Sequence, residues 1–291
     1  MKFVNLLKRM RRRAAQIAGG APPVNFRARN PEEIDADVTY AVGNAQSYHA
    51  FVAEGRGDIG VADVTVLEIG PGINFAPMLA LAGEGAKAIV ADRFLAPWDP
   101  GYHPEFHRRF LTAWGKPNSA LEAVIRAGNY PPDVITLVQE PTEHLTSISD
   151  RSVDFIISNA VMEHVFDLEA AAQEFARITK PNGRHSHQVD FRDHRNFDQP
   201  LEFLLLEDGQ FAQLFERTSG ETGNRRRAGD MRSAFERSGF VVEDMQVTET
   251  AKPDYMASFV PRLRRANSRF KDLDEQELLR LSARFFLRRA A

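Results

Sequence analysis

From residue 60 onward the chain alternates short apolar runs with longer amphipathic stretches, and this alternation limits the available folds more than any other feature. Seven runs read as strands: 64–69, 88–91, 134–138, 153–158, 185–189, 240–247 and 282–287. The earlier ones are rich in Val and Ile, as strands buried on both faces tend to be. Between them, residues 75–82, 103–114, 119–127, 168–178 and 231–238 read as helices. Residues 168, 171, 175 and 178 place apolar side chains on one helical face, and the last helix stops at Gly239. Strands that alternate with helices predict an α/β domain built on a mostly parallel sheet with crossover helices.

Two connections exceed the usual length. Residues 93–133 contain six prolines around two short helices, and residues 192–228 separate the fifth strand from the next helix. Segments of this length inside a domain serve either as functional loops or as decoration on the sheet. Residues 1–22 read as a basic amphipathic arm that closes at Gly19-Gly20-Ala21-Pro22-Pro23, so the organisation expected is an arm followed by one domain over 23–291. Such an arm is able to lie on an anionic membrane surface or to remain a solvated tail.

The glycines of Val66-Leu67-Glu68-Ile69-Gly70-Pro71-Gly72 end the first strand, and Asp92 ends the second. Glycines at a strand-to-helix turn let the backbone approach a ligand, and an acidic residue about twenty positions later accepts hydrogen bonds from ribose hydroxyls. A dinucleotide fingerprint would need a third glycine at 75, where Phe stands, and Glu68 would repel a pyrophosphate. The same carboxylate attracts an amino-acid cofactor bearing an ammonium and a sulfonium, which favours S-adenosylmethionine over NAD(P) and FAD.

These residues resemble the class I S-adenosylmethionine-dependent methyltransferases, in particular the methyltransferase type 11 domain group. Leu67 to Gly72 is similar to that family's first motif, and Asp92 matches its ribose-binding acid. Val138 to Leu145 resembles the third-strand segment, with Glu140 in the slot that meets the adenine amino group, and Ser152 to Val165 resembles the fourth strand and its loop. The resemblance covers about residues 60–192. It implies a Rossmann-like, seven-stranded, mostly parallel sheet with helices on both faces and an antiparallel last strand. It also implies cofactor contacts from Glu68, Gly70, Pro71, Gly72, Asp92, Arg93, Glu140 and Asn159. Asn74 departs from the pattern, standing where a further glycine is common.

A second concentration of reactive side chains runs from His185 to His194. His187 is the expected proton acceptor for an acceptor hydroxyl, with Asp190 or His194 as its partner. The run is similar to one seen in type 11 methyltransferases near sugar-polymer biosynthesis, which implies a small-molecule or glycan-precursor acceptor and favours O-methylation. Asn159, Glu163 and His164 serve equally well for helix capping or for ligand contact. No metal is expected, because no spacing forces three ligands to converge, and the absence of cysteine removes thiolate sites and cysteine nucleophiles.

The net charge of −3 hides an uneven distribution. Residues 1–30 hold eight Lys/Arg and no acids and residues 261–291 hold nine basic against four acidic, leaving 20 basic against 36 acidic in between. An acidic body argues against nucleic acid as partner, as does Asn159-Ala160-Val161-Met162 in place of an Asn/Asp-Pro-Pro-aromatic run. Without a membrane-spanning run or a secretory signal, a cytoplasmic protein with peripheral membrane contact through the arm is expected. The alternative function is a non-catalytic accessory protein of the same fold docking on a membrane or partner.

Overall fold

The computed structural model describes residues 29–57 and 59–290; the expected arm over residues 1–22 lies outside them. Two compact units divide the chain, the first ending at Pro141 and the second beginning at Thr142. Three strands belong to the first unit and four to the second.

In the first unit, helix α1 (Pro31–Gly55) precedes β1 (Thr65–Ile69), α2 (Ala76–Gly83), β2 (Lys87–Ala91), α3 (His103–Trp114), α4 (Ser119–Ala127) and β3 (Thr136–Val138). Helix α1 starts on a reciprocal cap: Asn30 Oδ1 accepts from the Glu33 N–H at 2.8 Å, and Glu33 Oε2 accepts from the Asn30 N–H at 3.0 Å. Its buried side is Ile34, Val38, Ala41, Ala45, Tyr48, Phe51 and Val52, a helical stripe diluted by alanines. The three strands are parallel, with Ile69 opposite Ala91 and Ala91 opposite Val138. All three therefore end at one level. The expected helix over 75–82 begins one residue later, because Phe75 takes a left-handed conformation (φ 52°) ahead of it.

In the second unit, β4 (Val153–Asn159) leads through a 3-10 turn (Met162–His164) and α5 (Leu168–Ile178) to β5 (Thr179–Asp190). A 3-10 turn (Glu202–Leu205), α6 (Asp208–Arg217), α7 (Ala228–Arg237), β6 (Phe240–Thr250), α8 (Pro253–Arg265), α9 (Glu275–Leu279) and β7 (Arg280–Arg289) follow. Strand β5 is parallel to β4, whereas β7 runs antiparallel to both β5 and β6, as the resemblance implied. A separate apolar cluster, including Leu201, Phe203, Leu204, Met256, Phe259, Leu263 and Leu278, joins the second insertion to α8 and α9.

The Lys180-Pro181-Asn182-Gly183 turn lies inside β5 as an irregularity. Pairing jumps from Val153–Thr179 to Phe155–Arg184, with Asn182 at φ 62°. Gly183 fits there for want of a side chain, since a Cβ would stand 2.5 Å from Thr179 Cγ2 and 3.0 Å from the carbonyls of Asp154 and Lys180. Gly183→Ala is expected to cost about 2 kcal/mol, read as a lower urea midpoint at an unchanged slope.

Candidate functional site

The level strand ends of the first unit bring together the residues that sequence placed at its edge. The Gly70 N–H donates to the Ala91 carbonyl at 2.9 Å, and the Asp92 N–H to the Val138 carbonyl at 3.1 Å. Gly70 and Gly72 have φ of 67° and 72°, a region that costs other residues about 1–2 kcal/mol. Asp92 accepts from the Phe94 N–H at 2.7 Å; burial raises its carboxyl, against the opposing pull of that hydrogen bond and of Arg93. Arg93 is exposed, and Glu140 is half-buried just past β3.

Glu68, one residue from the end of β1, is 4% exposed. Its Oε1 accepts from the Tyr48 hydroxyl at 2.8 Å, and its Oε2 is buried without a partner among the described residues. Burial pushes the carboxyl up to about 7 despite the Tyr48 hydrogen bond. Only the packing of α1 brings Tyr48 to Glu68.

The long insertion over 93–133 grips the loop that follows the glycines. His103 Nδ1 accepts from the Asp99 N–H at 2.7 Å, and its Nε2 donates to the Ile73 carbonyl at 2.7 Å. The Tyr130 hydroxyl donates to the Asn74 carbonyl at 3.2 Å. Trp98 stacks on His103 with ring centroids 4.9 Å apart and meets Tyr130 edge-on at 5.2 Å. Asn74, the departure from the glycine pattern, accepts from the Ala76 N–H through Oδ1 at 3.2 Å. Its side chain thus does at the start of α2 what Phe75 is unable to do.

In the second unit the expectation for His187 is corrected. Its ring is fully buried, stacked between Phe175 and Phe235 with centroids 5.3 Å away on each side. Ser158 Oγ lies 2.8 Å from its Nδ1, and its Nε2 is 3.3 Å from His185 Nδ1. His185 Nε2 is in turn 2.9 Å from Thr179 Oγ1, which donates to the Phe175 carbonyl at 2.5 Å. Hydrogen bonds running in one direction, from Ser158 through His187 and His185 to Thr179, satisfy both rings as neutral imidazoles. Burial holds His187 down at about 3. A ring closed off in this way is a core member and has no access to an acceptor's proton.

Asp190 and His194 do come together at the end of β5, where Asp190 Oδ2 lies 3.4 Å from His194 Nε2. Burial alone would raise the Asp190 carboxyl, but His194 and the Arg192 guanidinium hold it well below the usual carboxylate range; Arg192 Nη2 is 2.6 Å away. Glu163 and His164, on the 3-10 turn after β4, join this group. Glu163 Oε1 accepts from the Asp190 N–H at 3.3 Å, and the His164 and His194 rings meet at 4.9 Å. Burial, reinforced by the charge of Asp190, pushes Glu163 up to about 8. Asn159 is half-buried at the end of β4, before Ala160, whose φ is 56°.

A family model described as a methyltransferase domain matches residues 116–186. Over that segment the chain is similar to a methyltransferase domain. No curated protein matches it. Among solved structures, this chain is similar to an S-adenosylmethionine-dependent methyltransferase from Mesorhizobium loti, at 14% identity over 79% of this chain and 92% of that one, with a TM-score of 0.46. It is also similar to a geranyl diphosphate C-methyltransferase from Streptomyces coelicolor in complex with Mg2+, geranyl diphosphate and S-adenosyl-L-homocysteine. There the identity is 15% over 84% of this chain and 77% of that one, with a TM-score of 0.48.

The first unit holds a group that a cationic cofactor would complete. A buried carboxylate oxygen without a partner is a costly group that a cationic ligand group completes, and Glu68 Oε2 is such an oxygen. In the ligand-free protein, ionising Glu68 opposes folding. Its folded value of about 7 lies above the unfolded 4.5, so the stability linked to its protonation is full below pH 4.5 and lost as pH rises through 7. The difference amounts to about 3 kcal/mol. Glu68→Gln should therefore gain stability over the wild type between pH 5 and pH 8, measured by urea unfolding at each pH.

Proposed function

We propose that the protein transfers the methyl group of S-adenosylmethionine to an oxygen of a small or medium-sized acceptor, a sugar or glycan precursor being the class favoured. The observation that carries the reading is Glu68, buried with one oxygen unpaired beneath the Gly70-Pro71-Gly72 turn. In this reading Glu68 attracts the cofactor's ammonium, and Gly70, Pro71 and Gly72 let the backbone come close to its methionine end. Asp92 accepts from the ribose hydroxyls with Arg93 beside it, while Glu140 takes the adenine amino group and Asn159 supplies a further contact.

Bound there, S-adenosylmethionine supplies a sulfonium methyl carbon open to in-line displacement by an acceptor oxygen. Forming the carbon–oxygen bond would break the carbon–sulfur bond, leaving the electron pair on sulfur and a proton to be removed from the acceptor oxygen. Asp190 would take that proton, with His194 beside it and His187 having no part in the step. Alignment supplies most of the rate, since positioning two reactants can be worth about 7–11 kcal/mol. The sugar assignment is supported by the His185 to His194 run alone.

Calorimetric titration with S-adenosylmethionine and S-adenosylhomocysteine tests the cofactor half. Micromolar binding that weakens at least tenfold in Asp92→Ala is expected; a folded wild type that binds neither ligand overturns the reading. Because a cation favours ionised Glu68, S-adenosylhomocysteine should bind about fivefold more tightly at pH 7 than at pH 6, a dependence that Glu68→Gln abolishes. With hydroxylated sugar precursors as acceptors, His194→Ala should lose turnover, followed as S-adenosylhomocysteine release, while its cofactor affinity stays within a factor of two.

A further inference from the structure

We propose that Glu163, His164 and His194 form a binding site for a divalent transition cation of the zinc class. A carboxylate oxygen of Glu163 and one ring nitrogen from each histidine all lie within 4.8 Å of one another. Two segments distant in sequence meet to achieve this, the 3-10 turn after β4 and the loop after β5. The inference does not depend on the cofactor reading, because it rests on this donor set alone.

The cluster has polar atoms that the protein leaves unsatisfied. Glu163 is 2% exposed and its Oε2 has no partner. His194 Nε2 is likewise buried without a hydrogen bond, its 3.4 Å approach to Asp190 notwithstanding. Native proteins rarely bury such atoms unpaired, since each one carries its full desolvation cost. A cation completes both.

The surroundings are arranged as those of metal ligands are. His164 Nδ1 donates to the Gly220 carbonyl at 2.8 Å, which fixes the neutral tautomer and leaves the Nε2 lone pair for a metal. Glu163 is held at both ends, through Oε1 by the Asp190 N–H at 3.3 Å and through its backbone carbonyl by the Asn224 N–H at 2.7 Å. The Asn224 side-chain amide also donates to the carbonyls of Met162 and Val165 at 2.9 and 3.1 Å, clamping the turn that carries two of the three ligands. Residues 192–228, the second insertion, thus supply His194, Gly220 and Asn224 together.

Two imidazoles and one carboxylate suit zinc and its neighbours in the first transition row better than magnesium or calcium, which prefer oxygen. Three protein ligands leave a fourth position open, as in catalytic rather than structural zinc sites. Glu163 is buried, whereas His164 and His194 are only partly covered. Tetrahedral coordination at 2.0–2.1 Å needs donors about 3.3 Å apart, so binding would draw the donors together by up to about 1.5 Å from the 4.8 Å within which they lie.

The full-length protein, stripped with a chelator and dialysed, is titrated with Zn2+ by calorimetry and with Co2+ by visible absorption. One equivalent per chain is expected, with Co2+ giving the intense bands of a four- or five-coordinate site. Glu163→Gln and His194→Ala should each weaken binding at least a hundredfold, while His144→Ala, which changes an exposed histidine, should leave it unchanged. His194 is half-exposed, so its replacement keeps the test valid if the Glu163 variant fails to fold. Absence of stoichiometric binding to the folded wild type, or binding that survives His194→Ala, overturns the proposal.

Discussion

The parallel pairing of β1 with β2 is the constraint on which the rest of the first unit depends. Its register places Ile69 opposite Ala91, and the Gly70 N–H continues the ladder to the Ala91 carbonyl. Two residues more than twenty positions apart, Gly70 and Asp92, thereby leave the sheet at the same height. The turn above β1 is then free to bend into left-handed conformations because the strand below it is fully paired. Burial of Glu68 follows from the same pairing, since a residue one step inside a covered strand end has little water to draw on.

The loop after the glycines is held from outside. His103 and Tyr130 reach across from the insertion to the carbonyls of Ile73 and Asn74, and the aromatic stack around Trp98 keeps both at hand. Asn74 gains a structural use that a glycine would lack. The length of residues 93–133, which in sequence reads equally as a lid or as decoration, is accounted for in part by this bracing of a loop rich in left-handed residues.

In the second unit, polar residues on one strand divide between two fates. His185 and His187 point into the core, where a one-directional chain of hydrogen bonds from Ser158 to Thr179 keeps them neutral. Asp190 at the end of β5, and Arg192 and His194 just past it, keep charged partners instead. Assigning proton transfer to His187 follows from its residue type and its place near a strand end. The assignment fails because alternation along β5 turns that side chain toward Phe175 and Phe235.

Much of this architecture is legible in the chain itself. Seven strands, α3, α4 and α5 were readable from the period of their apolar residues, and the glycine turn and Asp92 from local chemistry. Helix α1 was not, although Asn30-Pro31-Glu32-Glu33 signals its start, because alanines dilute its apolar stripe; α8 and α9 were obscured by charged residues. What only tertiary structure decides is which polar groups meet: Tyr48 with Glu68, His103 with the Ile73 carbonyl, and Glu163 and His164 with His194. Periodicity is a local property that survives in one dimension, whereas the burial that shifts a carboxyl or strands an unpaired oxygen depends on segments folding together from distant parts of the chain.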